Sequence, residues 1–225
     1  MIELDELFDE WEQVENKKDR YNFIKDGIVN ETVWQNQSYK ICFFLKEAYL
    51  GKKEKEDGFK WNLVKDTLDK GVIRKMWHSV AEWTYGIINT NENSIPEHKS
   101  LSYEEKCALL KMIAVVNVKK CDGKPNSDYN NLSEIIADED NKSFTYRELF
   151  DIIKPNIIIC GNNYSLLRAV LDNKIPKSQE LSNNYFWYGD ILIIDFFHPA
   201  NYFPKFMNFY TLCSIYQQAL KARIK

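Results

Sequence analysis

Apolar residues recur along this chain in two rhythms. Leu4, Leu7, Phe8, Trp11 and Val14 fall at the i, i+3, i+4 spacing of an amphipathic helix, so residues 1–30 read as helical. Four short runs, nearly continuous in Ile, Val, Leu and Phe, have the pattern of strands buried on both faces: YKICFFLK (39–46), MIAVVNV (112–118), NIIIC (156–160) and DILIIDF (190–196). Between them lie a charged loop (49–59), a mixed helical region holding Trp61, Trp77 and Trp83, and a polar loop (89–102). Ser102 and Glu105 have capping-box spacing, and a helix is expected near Ser133. Another is expected over 144–153, opened by Thr145 with Glu148 and stopped before Pro155. Leu166, Leu167, Val170 and Leu171 mark an amphipathic helix, and residues 207–222 a last one. Strands alternating with helices predict an α/β fold: one three-layer α/β/α domain over 1–225, with a central, mostly parallel four-stranded sheet. Residues 1–38 are expected as a helical extension packed on it.

Composition narrows the picture. Hydrophobic residues make up 44% of the 225 and aromatic residues 14%, enough to fill a core and exclude disorder. The longest apolar stretches, 157–160 and 191–194, fall far short of the ~18 residues of a membrane span. The acidic start, MIELDELFDEWE, lacks the basic, then apolar pattern of a signal peptide, so a soluble cytoplasmic protein is expected. The net charge of −3 gives no global pull toward nucleic acid. Local basic clusters (Lys52, Lys53, Lys55; Lys119, Lys120, Lys124; Lys221, Arg223, Lys225) read as solvated faces. Five cysteines without a CxxC pair predict buried free thiols, and three scattered histidines predict no metal site.

In open α/β sheets the working site lies beyond the carboxyl ends of the strands. The polar residues there are Lys46, Glu47 and Tyr49 after the first run, Asn117 and Lys119 at the second, Asn162 and Asn163 after the third, and His198 after the fourth. His198 precedes a proline, which holds it out of helical geometry, and a histidine at a strand end donates well to an oxygen gaining charge. Asn117 interrupts an apolar strand and carries both donor and acceptor, the pattern suited to reading a base edge. The bland alternatives are a loop-bound histidine, a strand amide tied to backbone, and a Glu47 paired with Lys46 or Lys52. Phosphate-loop, dinucleotide-binding and nucleophile-elbow motifs are missing from the sequence.

The order of these segments resembles the uracil-DNA glycosylase superfamily. KEAY (46–49) is similar to the first motif, QDPY in some branches and GEAPG in others. IAVVNVKKC (113–121) is similar to the strand whose Asn contacts the flipped base. LFDIIKPNIIICGNNYSLLRAVL (149–171) looks like the helix–Pro–strand–Gly–helix segment, and ILIIDFFHPANYF (191–203) like the strand running into the HPS or HPA motif. Set against QDPY, Glu47 takes the catalytic acid position and Tyr49 that of the residue blocking a thymine methyl. Set against GEAP, Ala48 takes the catalytic position. Phe59 or Trp61 matches the aromatic that stacks on the base. Cys121 matches one ligand of the family's iron–sulfur branch, and the other three have no counterpart, so no cluster and no cofactor are expected.

The resemblance implies a monomeric, monofunctional DNA glycosylase that extrudes a base into a pocket and hydrolyses its glycosidic bond. Glu47 and His198 are the expected catalytic pair. Asn117, Tyr49, Phe59, Trp61 and Lys46 are expected against the substrate base, and Lys119, Asn162, Asn163, Asn201, Tyr202 and Phe203 against DNA, with Tyr202 or Phe203 as the wedge. The altered first motif points to uracil or to a larger modified pyrimidine, such as a glucosylated hydroxymethylcytosine removed from phage DNA as a defence. The alternatives are a non-catalytic module on the same fold that binds DNA or protein, and a flavodoxin-like nucleotide binder.

Overall fold

The computed structural model describes residues 2–18, 22–48, 61–71, 73–121, 123 and 127–224. The strands are β1 (Ile24–Lys25), β2 (Gly27–Ile28), β3 (Ile41–Glu47), β4 (Trp61–Asn62), β5 (Ile113–Lys119), β6 (Ile157–Gly161), β7 (Tyr185–Tyr188) and β8 (Ile191–Phe196). The helices are α1 (Ile2–Lys17), α2 (Glu31–Gln35), α3 (Lys75–Asn89), α4 (Tyr103–Leu110), α5 (Tyr129–Ala137), α6 (Glu139–Tyr146), α7 (Tyr164–Val170) and α8 (Lys205–Ile224). The fold is mixed α/β around a mostly parallel sheet.

The four apolar runs form the middle of that sheet, as their pattern predicts. β5, β3, β6 and β8 lie side by side and parallel. The sheet has six strands among the described residues rather than four, in the order β2-β5-β3-β6-β8-β7. Both additions are antiparallel edge strands, β2 on β5 and β7 on β8. Neither is a long run covered on both faces: β2 is two residues long, and β7 (YFWY), aromatic throughout, is four residues long and only half-buried.

Side chains alternate across the strands and feed two cores. Ile41, Phe43, Leu45, Val115, Ile159 and Ile194 pack toward α3 and α8 around Trp83 and Leu212. Cys42, Phe44, Val116, Ile158, Cys160 and Ile193 pack toward α5 and α7 around Leu132 and Leu167. The chain leaves β3 for β5 on one side and later crosses to β6 on the other, which sets a topological switch point at the carboxyl end of β3.

Several local expectations change. Helix α1 ends at Lys17, and residues 24–28, expected as helix, form β1 and β2, so the N-terminal segment contributes an edge strand as well as a helix. Leu4, Leu7, Phe8 and Trp11 make their own small core with Phe23 and Phe144, where Trp11 stacks on Phe144 at 5.3 Å. Trp61 lies on β4, paired with Ile24 of β1, and not in a helix. The expected start at Thr145 is internal to a longer helical run: Asp138 caps α6, Thr145 donates to the Asn141 carbonyl, and the chain continues as a π-helical segment, Arg147–Ile153. That run does stop ahead of Pro155, with Lys154 left-handed at φ 50°. The Ser102–Glu105 capping box forms as its spacing predicts. None of the five cysteines is in a disulfide, and four of them are buried.

Candidate active site

A cavity of about 680 Å³ opens at the switch point. Glu47 and Ala48 at the end of β3, Asn117 on β5, and His198 to Phe203 after β8 line it, with Trp61 and the first turn of α3 opposite. Glu47, Asn117 and His198, distant in sequence, therefore meet in one space because parallel strands put their carboxyl ends on one rim.

Glu47 shares a strand face with Leu45, and its side chain is only 5% exposed. Its Oε2 lies 3.4 Å from Lys119 Nζ, while Oε1 is buried with no hydrogen-bond partner. Lys119, not Lys46, is thus the cation beside it. Gly123 closes over the carboxylate: its N–H donates to the Ala48 carbonyl at 2.8 Å, and a Cβ there would stand 2.6 Å from Glu47 Cγ.

His198 is held by its own turn. The Ala200 N–H donates to Nδ1 at 3.2 Å, and the Asn201 N–H and Nδ2 both donate to the His198 carbonyl. An Nδ1 that accepts a hydrogen bond carries no proton, so the neutral ring is protonated on Nε2. Burial, reinforced by the charge of Lys46, pushes the His198 pKa down to about 4. At neutral pH the ring is therefore an uncharged donor. Gly161 beside it gives Leu45 room: a Cβ there would stand 2.7 Å from Leu45 Cδ2, with His198 Cδ2 at an ordinary contact distance of 3.5 Å.

Asn117 is buried, and one oxygen of Asp26, Oδ2, accepts from both its backbone N–H at 2.8 Å and its Nδ2 at 2.9 Å. The other Asp26 oxygen accepts from Lys120, whose Nζ also lies 2.7 Å from Glu148 Oε2. All three charged side chains are fully buried. Burial alone lowers a lysine, but Asp26 and Glu148 hold Lys120 above its ordinary value. Burial drives Glu148 well above the carboxylate range, with Lys120 opposing and Asp26 adding to the shift. Phe8 and Trp11 of α1 close the triad, with ring centroids 5.3 and 5.1 Å from Lys120 Nζ.

The other expected site residues divide. Trp61, Asn201, Tyr202 and Phe203 line the cavity with the central three. Trp61 lies beneath the Arg74 guanidinium, 5.9 Å from its ring centroid. Tyr202 is fully exposed at the rim. Asn201 is spent on the turn: its Oδ1 accepts from the Phe203 N–H and from Asn208 Nδ2. Lys46 points to the opposite sheet face, 6.0 Å from the Tyr129 ring centroid, and does not line the cavity. Asn162 and Asn163 also stand away from the lining: Asn162 is exposed at φ 58°, and Asn163 is buried with neither amide atom partnered. Tyr49 and Phe59 lie outside the described residues, as do the expected loop 49–59, Lys52, Lys53, Lys55, Lys124 and Lys225.

Of the expected solvated face at 119–124, Lys119 is paired with Glu47 and Lys120 is wholly buried, because two acids from distant segments converge on it. Lys221 and Arg223 are exposed, as expected, with Arg223 lying over Trp187 at 4.3 Å and pairing with Asp190. Arg74, Lys75 and Lys205, which the sequence did not single out, put cations on the cavity wall. Asp26 was also missed, although a lone acid, next to Lys25 in the FIKDGIV stretch, was an available signal. No group of three His, Cys, Asp or Glu side chains among the described residues is arranged to hold a metal.

No family model matches the chain, and no curated protein sequence matches it. The class that fold and cavity define is a mixed α/β protein with a cavity at the carboxyl edge of its sheet. No helix among the described residues is long and apolar enough to cross a membrane.

Proposed function

We propose that this protein is a DNA glycosylase that extrudes a base, uracil or a larger modified pyrimidine, into the cavity and hydrolyses its N-glycosidic bond. The observation that carries the reading is the convergence of Glu47, Asn117 and His198 on one cavity, with Glu47 Oε1 unpartnered and His198 a neutral Nε2 donor. The parallel strand order β5-β3-β6-β8 and the switch-point cavity are compatible with the glycosylase resemblance.

A base inside a duplex is out of reach, so it is flipped at a cost of a few kcal/mol. Trp61 supplies a face for it to stack on, and Asn117 reads its edge. The C1′–N bond breaks with its electron pair going to the base, which leaves as an anion while the sugar becomes cationic. His198 Nε2–H donates to the base oxygen that gains this charge, a contribution that preorganised donors make well in a water-poor site. Glu47 holds the water, whose oxygen bonds C1′ as its proton passes to the carboxylate. Tyr202 fills the gap in the stack, and Arg74, Lys75 and Lys205 face the backbone phosphates.

The Lys119–Glu47 pair supports a second reading, a non-catalytic module that binds DNA or protein, because a carboxylate tied to lysine is less free to hold and orient a water. One assay separates them. Oligonucleotides carrying uracil, hypoxanthine, hydroxymethylcytosine or its glucosylated form are incubated with protein, and hot alkali reveals abasic sites. Excision of one base, reduced about 10²–10³-fold in His198→Ala, supports the glycosylase. Full activity in His198→Ala overturns this mechanism, and salt-sensitive binding without excision favours the module.

A further inference from the structure

We propose that Asp26 is a positioning residue that sets which way round Asn117 presents its amide, and so which order of donor and acceptor on a base edge the cavity accepts. The inference rests on the glycosylase reading for its substrate but on separate geometry for its cause.

A side-chain amide has two nearly isosteric ends, and turning it over exchanges an acceptor for a donor. At Asn117 that freedom is removed. A carboxylate oxygen only accepts, so the amide end facing Asp26 Oδ2 is the nitrogen, 2.9 Å away. The same oxygen accepts the Asn117 backbone N–H at 2.8 Å, which means the amide hydrogen in use is the one directed back toward the main chain. The remaining pair, Oδ1 and the second Nδ2 hydrogen, forms a fixed two-point edge at a residue that lines the cavity. Its partner must offer a donor to Oδ1 and an acceptor to Nδ2–H, in that order. The imide edge of uracil and the amino edge of cytosine carry these groups in opposite order.

Asp26 is itself prevented from turning. Its second oxygen accepts from Lys120, which has no exposed surface and is closed over by Phe8 and Trp11. Lys120 is a donor only, so whatever stands at position 26 must face it with an acceptor. In Asp26→Asn the acceptor end therefore goes to Lys120 and the NH2 end to Asn117. Two side-chain donors then oppose each other, and the Asn117 amide relieves this by turning over, while the Asn117 backbone N–H that shares Asp26 Oδ2 is left without its acceptor at a cost in stability. One substitution at a residue remote from the chemistry should invert the order of donor and acceptor offered to the base.

The experiment has two arms. Wild type and Asp26→Asn are compared for excision of uracil and cytosine and of their 5-hydroxymethyl derivatives. In parallel, the Asn117 side-chain amide is followed by NMR in isotope-labelled wild type, assigned through its loss in Asn117→Asp. Support is a slowly exchanging Asn117 amide hydrogen coupled to the Asp26 carboxylate carbon. It is completed by an imide-to-amino preference that shifts in Asp26→Asn on the order of tenfold or more. If folded Asp26→Asn loses rate equally on both edges, Asp26 only supports the fold and the proposal is overturned. If Asp26→Asn does not fold, the wild-type signal decides: no coupling and fast exchange of both hydrogens overturns it. Coupling present in a wild type that excises no base removes the glycosylase reading while upholding the positioning of Asn117.

Discussion

His198 shows how a single side chain is tuned by its place. It stands at the end of an apolar strand, so burial penalises its charged form, and Lys46 adds to the penalty. Its pKa is about 4 in the fold against an ordinary value of 6.5. Between those values the unfolded chain takes up the proton before the folded one does, so stability rises with pH across this window and is lost on acidification through it. Urea melts from pH 7 to pH 4 should show a decline that His198→Asn flattens, while activity that depends on the neutral ring should persist well below pH 6. Gly123 acts on the other catalytic candidate. With Glu47 Cγ 2.6 Å and the Ala48 carbonyl 2.8 Å from where a Cβ would stand, Gly123→Ala must push the carboxylate aside. Excision should fall about 10²-fold for a shift near 1 Å, beyond the ~1–3 kcal/mol of stability that overpacking costs. Single-turnover assays beside melts would measure both.

At the scale of elements, α1 is joined to the central sheet through a charged core. Lys120 sits between Asp26 of the β1–β2 segment and Glu148 of the π-helical segment after α6, with α1 rings packed over it. Removing the lysine leaves two buried carboxyls facing each other, and breaking a buried pair of this kind costs about 3–5 kcal/mol. Lys120→Met should therefore lower stability by that order in urea denaturation. The simultaneous change of Asp26, Lys120 and Glu148 to apolar residues of similar volume should recover much of it. Sequence pattern alone gave no view of this arrangement. KKC at the end of an apolar strand reads as a solvated basic turn, and burial of its second lysine follows only when acids about 94 and 28 positions away fold against it. The strands β3, β5, β6 and β8 were legible within a residue or two, because a run covered on both faces must be apolar at every position. The edge strands β2, two residues long, and β7, a half-buried aromatic run of four, were missed.

Over the whole molecule, the cavity mouth is the chemically distinctive surface. Phe197, Tyr202, Phe203, Phe206 and Tyr210 are exposed around the turn after β8 and the start of α8, with Arg74, Lys75 and Lys205 on the cavity wall beside them. Aromatic faces with cations suit a nucleic acid strand, stacking being worth about 1–3 kcal/mol per base. Tyr202→Ala should weaken DNA binding roughly 5- to 150-fold on that figure without moving the melting temperature, since a fully exposed ring contributes little to the fold. Because the net charge is −3, this contact surface is local, and affinity measured at 50 and 200 mM salt should fall steeply.

The alternation of buried strands with helices is a local property, so it could be read along the chain, and with it the α/β class and the rim on which Glu47, Asn117 and His198 stand. Periodicity responds to what covers a residue, and in these strands everything is covered. Partnership has no such trace. That Lys119 rather than Lys46 faces Glu47, that Asn201 is consumed by its own turn, and that Asp26 holds Asn117 by two bonds were settled by chain crossings that bring distant segments within hydrogen-bond distance. The electrostatics of the site follow from those meetings: the same histidine in a solvated loop would keep its ordinary pKa, and it is burial beneath the rim that makes it a neutral donor.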